Sequence, residues 1–415
     1  MITKLQIENF RGIHKSEVEL GKITVLTGPN NSGKSSVMYG LLALKNVVLN
    51  SNQSLDSFLN LGFINLGGFA QTVHLKKEKS DILLGIEVSR EGVNSYYSAT
   101  LGKEESELSL KIAKPHRVSL NLGVTFPYAA NKSTTAELKG KSEVAMIKWN
   151  GIISEISVEK RNAAETAEKD ESSDEENTGN FSESLLKSLN APVEELRGVD
   201  FIPLRRGFTK PIYSSVAMQQ QLLTDDELAT LLATDRDLEG KVAFYLEKIV
   251  NRNFSVRPII GTANFYLQSL DRSTGFVSDL VNEGFGTNQL VTILTKSLRK
   301  DMRTICIEES EIHLHPELMD KLVDVFIQIV KKDEEKRFII STHSEHIVLS
   351  LLNKVAQSKL APEDVSIYYL SKKGEEILME KQQVNEKGQV QGGLKGFYEV
   401  ELEQVKEFFN VSEGT

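Results

Sequence analysis

Gly28-Pro29-Asn30-Asn31-Ser32-Gly33-Lys34-Ser35 is the stretch whose reading decides the fold. It fits the pattern GxxxxGK closed by Ser in full, and the physical need for each residue type is plain. Glycines let the backbone curl so that its N–H groups face phosphate oxygens. The helix that follows points its positive end at the same charge. Lys34 is placed to reach the outer phosphates of a nucleotide, and Ser35 to give a hydroxyl to Mg²⁺. Ile23-Thr24-Val25-Leu26 precedes the loop as a short buried strand, and Val37, Leu41, Leu42 and Leu44 follow it at helical spacing. This strand–loop–helix context separates a nucleotide loop from an ordinary Gly-rich turn.

Working outward, a second strand, Thr304-Ile305-Cys306-Ile307, ends in Glu308-Glu309. An acidic residue closing a buried strand can hold Mg²⁺, and the carboxylate after it is placed to polarise water. Glu308 is thus the candidate metal ligand with Ser35, and Glu309 the candidate catalytic base. A third strand, Phe338-Ile339-Ile340, leads into Ser341-Thr342-His343, where His343 is a candidate γ-phosphate sensor. Between the last two strands, Leu318, Leu322, Phe326 and Ile329 mark one face of a helix. Strand–helix alternation of this kind predicts an α/β fold with a mostly parallel sheet. A Gly-rich turn, Asn282-Glu283-Gly284-Phe285-Gly286-Thr287-Asn288-Gln289, precedes a helix bearing Leu290, Ile293, Leu294 and Leu298. Gly284, Gly286 and Thr287 make a second anion-binding helix end. Since one nucleotide already occupies the first loop, the second end suits the nucleotide of a partner chain.

The chain has 415 residues, 40% apolar and 26% charged, with one cysteine, Cys306, so neither a disulfide framework nor a CxxC metal site is expected. No stretch approaches the ~20 apolar residues of a membrane helix. The N-terminus lacks the pattern of a signal peptide, so a cytoplasmic protein is expected. Eight acidic residues and one lysine between Ala163 and Ser184 carry −7 of the net charge of −9. An acidic chain is a poor non-specific DNA binder. Residues 160–180 are polar and lack large apolar groups, which predicts a disordered loop. Residues 81–148 alternate and are broken by turns, as in several antiparallel strands. Residues 182–253 read as mostly helical.

The order of these motifs resembles ABC-type ATPase heads, which include the SMC-like repair ATPases. The details are closer to the OLD-like bacterial ATPases. The resemblance rests on Ile7-Glu8-Asn9-Phe10-Arg11-Gly12, the loop at 28–35, Ile307-Glu308-Glu309-Ser310-Glu311-Ile312-His313-Leu314-His315-Pro316 and Ser341-Thr342-His343-Ser344-Glu345-His346. Leu66-Gly67-Gly68-Phe69, Phe201-Ile202-Pro203-Leu204-Arg205 and residues 388–397 look like the stand-alone AAA-family members of that branch. Ser310 stands where the family carries proline.

The resemblance implies an α/β ABC-type P-loop head with a mixed sheet, an antiparallel β lobe and an inserted, mainly helical lobe. It implies head segments at 1–125 and 263–372, an insert at 126–262 and an extension at 373–415. ATP and Mg²⁺ are the implied cofactors. Asn9, Arg11, Gly28, Asn30, Asn31, Ser32, Gly33, Lys34, Ser35 and Ser36 are the implied nucleotide contacts, with the partner's Gly284, Gly286 and Thr287 completing the site. About seventy residues follow His343, and they contain no Glu followed by an Asp-x-Asp pair, so no Toprim nuclease is expected here. His313, His315, His343 and His346 lie within ATPase motifs and are not expected to form a catalytic metal site. The implied activity is ATP hydrolysis by a homodimer bridged through its heads. It would control a separate effector, a nuclease or toxin, in bacterial anti-phage defence. A DNA-loading repair ATPase like the RecF group is the alternative, and a scaffold that binds ATP with little turnover is another. Higher oligomers, and nucleic acid bound directly or through the partner, stay open.

Overall fold

Strand Ile23–Thr27 is buried at all five positions, as its β-branched, apolar sequence requires of a strand covered on both faces. In the computed structural model it is the inner strand of a six-stranded sheet. The order is Val199–Ile202, Thr304–Glu308, Arg337–Thr342, Ile23–Thr27, Val365–Lys373, Glu376–Gln382. The four central strands run parallel. Two helices, Pro316–Lys332 and Glu345–Ala356, make the crossovers between them, as parallel neighbours need. The structure describes residues 1–49, 55–90, 92–113, 120–126, 133–139, 143–160, 178–218 and 223–393.

The described chain forms two compact units. The first holds Met1–Leu20, the described part of Ser36–Val199, and Gly374–Glu376. It is built on antiparallel pairing, the form the alternating residues 81–148 predict. One sheet has the order Ile13–Glu19, Ile2–Phe10, Ile82–Arg90, Val93–Leu101, Ser106–Ala113, Leu120–Phe126. A three-stranded meander joins Thr134–Lys139, Glu143–Trp149 and Ser154–Lys160. Helix Lys34–Leu49 enters this unit at Ser36, and Gly40 lets it approach the sheet. A Cβ there would stand 3.0 Å from Ile7 Cδ1. Helix Thr178–Arg197 packs on Ile82–Arg90 and Val93–Leu101. It buries Leu185, Leu189, Val193 and Leu196 at helical spacing.

That helix corrects the loop expected at 160–180. Lys160 closes a strand and residues 178–180 are its first helical turn, while 161–177 lie outside the described residues. Once the apolar face nucleates a helix, adding polar residues at its end costs little.

The second unit holds Gly21–Ser35, Asp200–Lys373 and the described residues from Ile377 on. Besides the parallel sheet it has an antiparallel one, formed by Tyr213–Ser214, Asn264–Asp271, Arg252–Pro258 and Val277–Asp279. The sheets are therefore mixed across an α/β fold. Helix Asp225–Thr234 starts with a reciprocal cap between Thr224 and Glu227. Helix Arg236–Val250 is capped by Asp235 and ends on Asn251 in the left-handed region. These helices and Phe285–Leu298 share one apolar core with the parallel sheet, in which Leu246, Leu290, Ile307, Phe326 and Ile340 are fully covered. Among the described residues no helix is long and apolar enough to cross a membrane.

Candidate functional site

Strand register alone brings the sequence motifs to one edge of the second unit. Glu308 lies opposite Ser341, Ser341 opposite Leu26, and Thr342 opposite Thr27. Parallel strands sit ~4.8 Å apart, so the loop at 28–35, Glu308-Glu309 and His343 leave neighbouring carboxyl ends of the sheet, where open α/β sheets bind their ligands. Gly28 has φ +140, and a Cβ on it would meet the Leu370 carbonyl oxygen at 2.0 Å, so only glycine fits. Gly33 has φ +95 and backs onto Ile377. Asn30 and Asn31 stand exposed on the rim, while Ser32 and Lys34 are buried.

Lys34 donates from Nζ to the carbonyl oxygens of Gly28 and Pro29, each at 2.9 Å. Among the described residues it has no ion pair. Burial lowers its ammonium to about 8, against the opposing pull of the Glu309 and Glu311 carboxylates. The buried Ser32 Oγ has no hydrogen-bond partner among the described residues. A desolvated cation held by weak neutral acceptors, beside an orphan hydroxyl, fits an anionic ligand such as a nucleotide phosphate. Ser35, in the first turn of the helix after the loop, and Glu308, at its strand end, are the residues that could hold Mg²⁺, an ion that usually keeps several waters.

Glu309 follows the strand end with φ 42, in the left-handed region. Its N–H donates to Ser341 O at 2.9 Å, and its Oε1 lies 3.3 Å from Nε2 of His343. Glu311 is buried behind them. Its Oε1 accepts from Thr342 Oγ1 at 2.6 Å and from the His343 N–H at 3.0 Å. Glu311 therefore sets the backbone that presents His343. The Gly-rich turn at 282–289, here the signature turn, lies in the same unit. Gly284 is the N-cap of helix Phe285–Leu298 and makes no side-chain cap. Phe285 is 72% exposed, and its ring lies 5.4 Å from that of His313. Asn288 ties the helix down by bonding both the N–H and the C=O of Phe208. Thr287 is half-buried.

Residues 1–348 match the family model described as an AAA ATPase domain. The chain belongs to this AAA ATPase domain family. No curated protein matches it. Similar solved structures include the SMC head domain from Thermotoga maritima, at TM-score 0.43 and 9% identity, covering 92% of this chain and 98% of that one. An Smc head bound to the C-winged helix domain of ScpA gives TM-score 0.46 and 11% identity over 92% and 97% of the two chains. An Smc head derived from Pyrococcus furiosus, with an extended coiled coil and bound to the C-terminal domain of ScpA, gives TM-score 0.42 and 10% identity over 92% and 96%.

Within this ATPase domain, three expected nucleotide contacts belong to the first unit. Asn9 and Arg11 have φ values of 53 and 55. Asn9 Nδ2 donates to Asp81 O at 2.9 Å, and the Arg11 guanidinium lies 5.3 Å from the Tyr39 ring centre. Ser36 is buried where the loop helix enters that unit. His315 caps helix Pro316–Lys332 by accepting from the Glu317 N–H. The residue that sequence reading missed is Arg206. Its guanidinium donates to Pro203 O at 3.1 Å, Glu308 O at 2.5 Å and Glu309 O at 2.7 Å. Burial lowers it to about 10, opposed by Glu311, Glu308 and Glu309. The Pro203-Leu204-Arg205 stretch was the signal beside it, but which arginine turns inward is set by contacts a hundred residues away.

Proposed function

We propose that the chain is an ABC-type ATPase that hydrolyses ATP with Mg²⁺ and acts as a switch. The observation that carries this reading is the shared sheet edge, where a desolvated Lys34, the Glu308-Glu309 strand end and His343 leave adjacent parallel strands. ATP bound with Mg²⁺ would supply the phosphoryl group and neutralise part of its charge. Lys34 would exchange its two carbonyl contacts for phosphate oxygens, and the N–H groups of 28–35 would cradle the rest. Ser35 and Glu308 would hold the cation. Glu309 would orient water and accept its proton, with His343 fixing the carboxylate. Gly284–Thr287 on a second copy would complete the site, so the working form is a homodimer.

By resemblance, the switch acts on a separate nuclease or toxin in a bacterial defence module, in the cytoplasm. The direct test is steady-state ATP hydrolysis by the purified chain, alone and with Lys34→Ala. Calorimetry of nucleotide binding and sedimentation with and without ATP complete it. Nucleotide-independent mass, or unchanged ATP affinity in Lys34→Ala, would sink the reading. Tight, salt-sensitive binding of DNA ends by the isolated chain would shift the biological role to a DNA-loading ATPase.

A further inference from the structure

The loop after strand Thr304–Glu308 is held in an unfavourable backbone conformation, and one side chain holds it there. Glu309 is not glycine, yet its φ is 42. A left-handed residue with a Cβ persists only where its surroundings over-determine it. Here its peptide groups are gripped on both sides. The neighbouring strand takes the Glu309 N–H through Ser341 O at 2.9 Å. Arg206 takes the carbonyls of both Glu308 and Glu309 through its two terminal nitrogens, at 2.5 and 2.7 Å. The fork of a guanidinium matches two adjacent acceptors in a way that an ammonium cannot.

The chemistry of Arg206 points the same way. Among the described residues its hydrogen bonds all go to backbone carbonyls, and its Nε has no partner. Leaving a guanidinium without an ion pair in a buried place is costly unless its charge is useful there. The carboxylates that face it are Glu308, Glu309 and Glu311, three acids within four residues. A fixed positive charge behind them opposes their mutual repulsion.

We infer that Arg206 is a positioning residue for Glu309: its fork holds the left-handed turn that aims the Glu309 carboxylate at His343. The inference rests on the reading of Glu309 as the catalytic carboxylate. Without the fork, residue 309 relaxes towards negative φ and its carboxylate leaves the 3.3 Å contact with His343 Nε2. Among the described residues Arg206 makes no hydrogen bond to the loop at 28–35, so nucleotide binding is spared.

Arg206→Lys and Arg206→Gln, each alone and combined with Glu309→Gln, test this. Lys keeps the charge but loses the two-pronged grip, and Gln loses both. Both variants should bind ATP with near-native affinity by calorimetry, with KM little changed. Their kcat should fall about tenfold to a hundredfold, the scale of a misplaced reacting group. In the Glu309→Gln background neither change should lower the residual single-turnover rate further, because the residue acts through the carboxylate already removed. Native turnover in both variants overturns the inference. So does an equal loss in both backgrounds, which would mark a role independent of Glu309. Failure of both variants to fold with ATP affinity intact would make Arg206 structural and overturn it as well. Native hydrolysis by Glu309→Gln alone would instead remove the catalytic reading of Glu309, a separate failure.

Discussion

Glu309 Oε1 stands 3.3 Å from His343 Nε2, the two residues leaving the ends of neighbouring parallel strands and both about one-third exposed. A carboxylate so held is fixed in direction yet open to water, which is what a group that orients a nucleophile needs. Glu309→Gln keeps the size and loses the charge. Turnover should fall on the order of a hundredfold while ATP stays bound. The check is single-turnover hydrolysis beside calorimetric affinity. Native turnover would move the role to another carboxylate.

Glu311 is the neighbour most easily confused with it, and the structure separates their tasks. Its Oε1 serves Thr342 Oγ1 and the His343 N–H, so its work is to shape the backbone under His343. Glu311→Gln keeps an acceptor oxygen and should retain most activity. Glu311→Ala leaves the O–H donor of Thr342 and the N–H of His343 without their acceptor, a loss of about 1–3 kcal/mol in denaturant unfolding. A Gln variant as inactive as Glu309→Gln would show that the charge of Glu311 itself takes part.

Lys34 should report nucleotide binding through its proton. Burial holds its ammonium at about 8, below the ordinary 10.5. The unfolded chain therefore binds more protons between those two values, and this residue's contribution to stability rises with pH across that window. Phosphate oxygens favour the charged form. Binding of ATP near pH 9 should therefore take up a proton, visible by calorimetry in two buffers of different ionisation heat. Lys34→Met should abolish that uptake, and equal uptake in the variant would place the proton elsewhere.

The parts of the site legible in the sequence were those that lie contiguous along the chain and end a buried strand. Residues 28–35, Glu308-Glu309 and Ser341-Thr342-His343 are of this kind, because period and strand ends can be read locally. The antiparallel nature of 81–148 was legible for the same reason, although its pairing order was not. What stayed hidden depends on distance along the chain. Arg206 meets Glu308 and Glu309 about a hundred residues on, and Asn288 anchors the signature helix on Phe208 eighty residues away. Nor does composition reveal that Glu309 adopts φ 42, since that conformation is imposed by neighbours and opposed by local preference. The first helical turn at 178–180 was missed because its residues are polar, and only the packed face downstream makes them helical.

The proposed sharing of the active site between two copies is tested best at Gly284. The neighbouring Gly286 is the wrong probe, since a Cβ there would stand 2.7 Å from His313 O and disturb the chain's own loop after Glu309. Gly284 has φ −57 and ψ 143, open to any residue, and nothing lies within 4 Å of a Cβ built on it. Asp is moreover a favoured N-cap, so Gly284→Asp should fold and bind ATP normally. Its carboxylate would occupy the positive end of helix Phe285–Leu298 and repel a partner's phosphate there. Hydrolysis should then fall steeply while ATP affinity at Lys34 holds. Mixing Gly284→Asp with Lys34→Ala chains distinguishes a site shared across two copies from one confined to a single chain. In a mixed two-fold dimer one composite site carries both lesions and the other neither. Random pairing then restores about a quarter of native turnover if the sites act independently, where each variant alone is inactive. A Gly284→Asp chain that hydrolyses ATP at the native rate would remove the signature turn, and with it the composite site, from the mechanism.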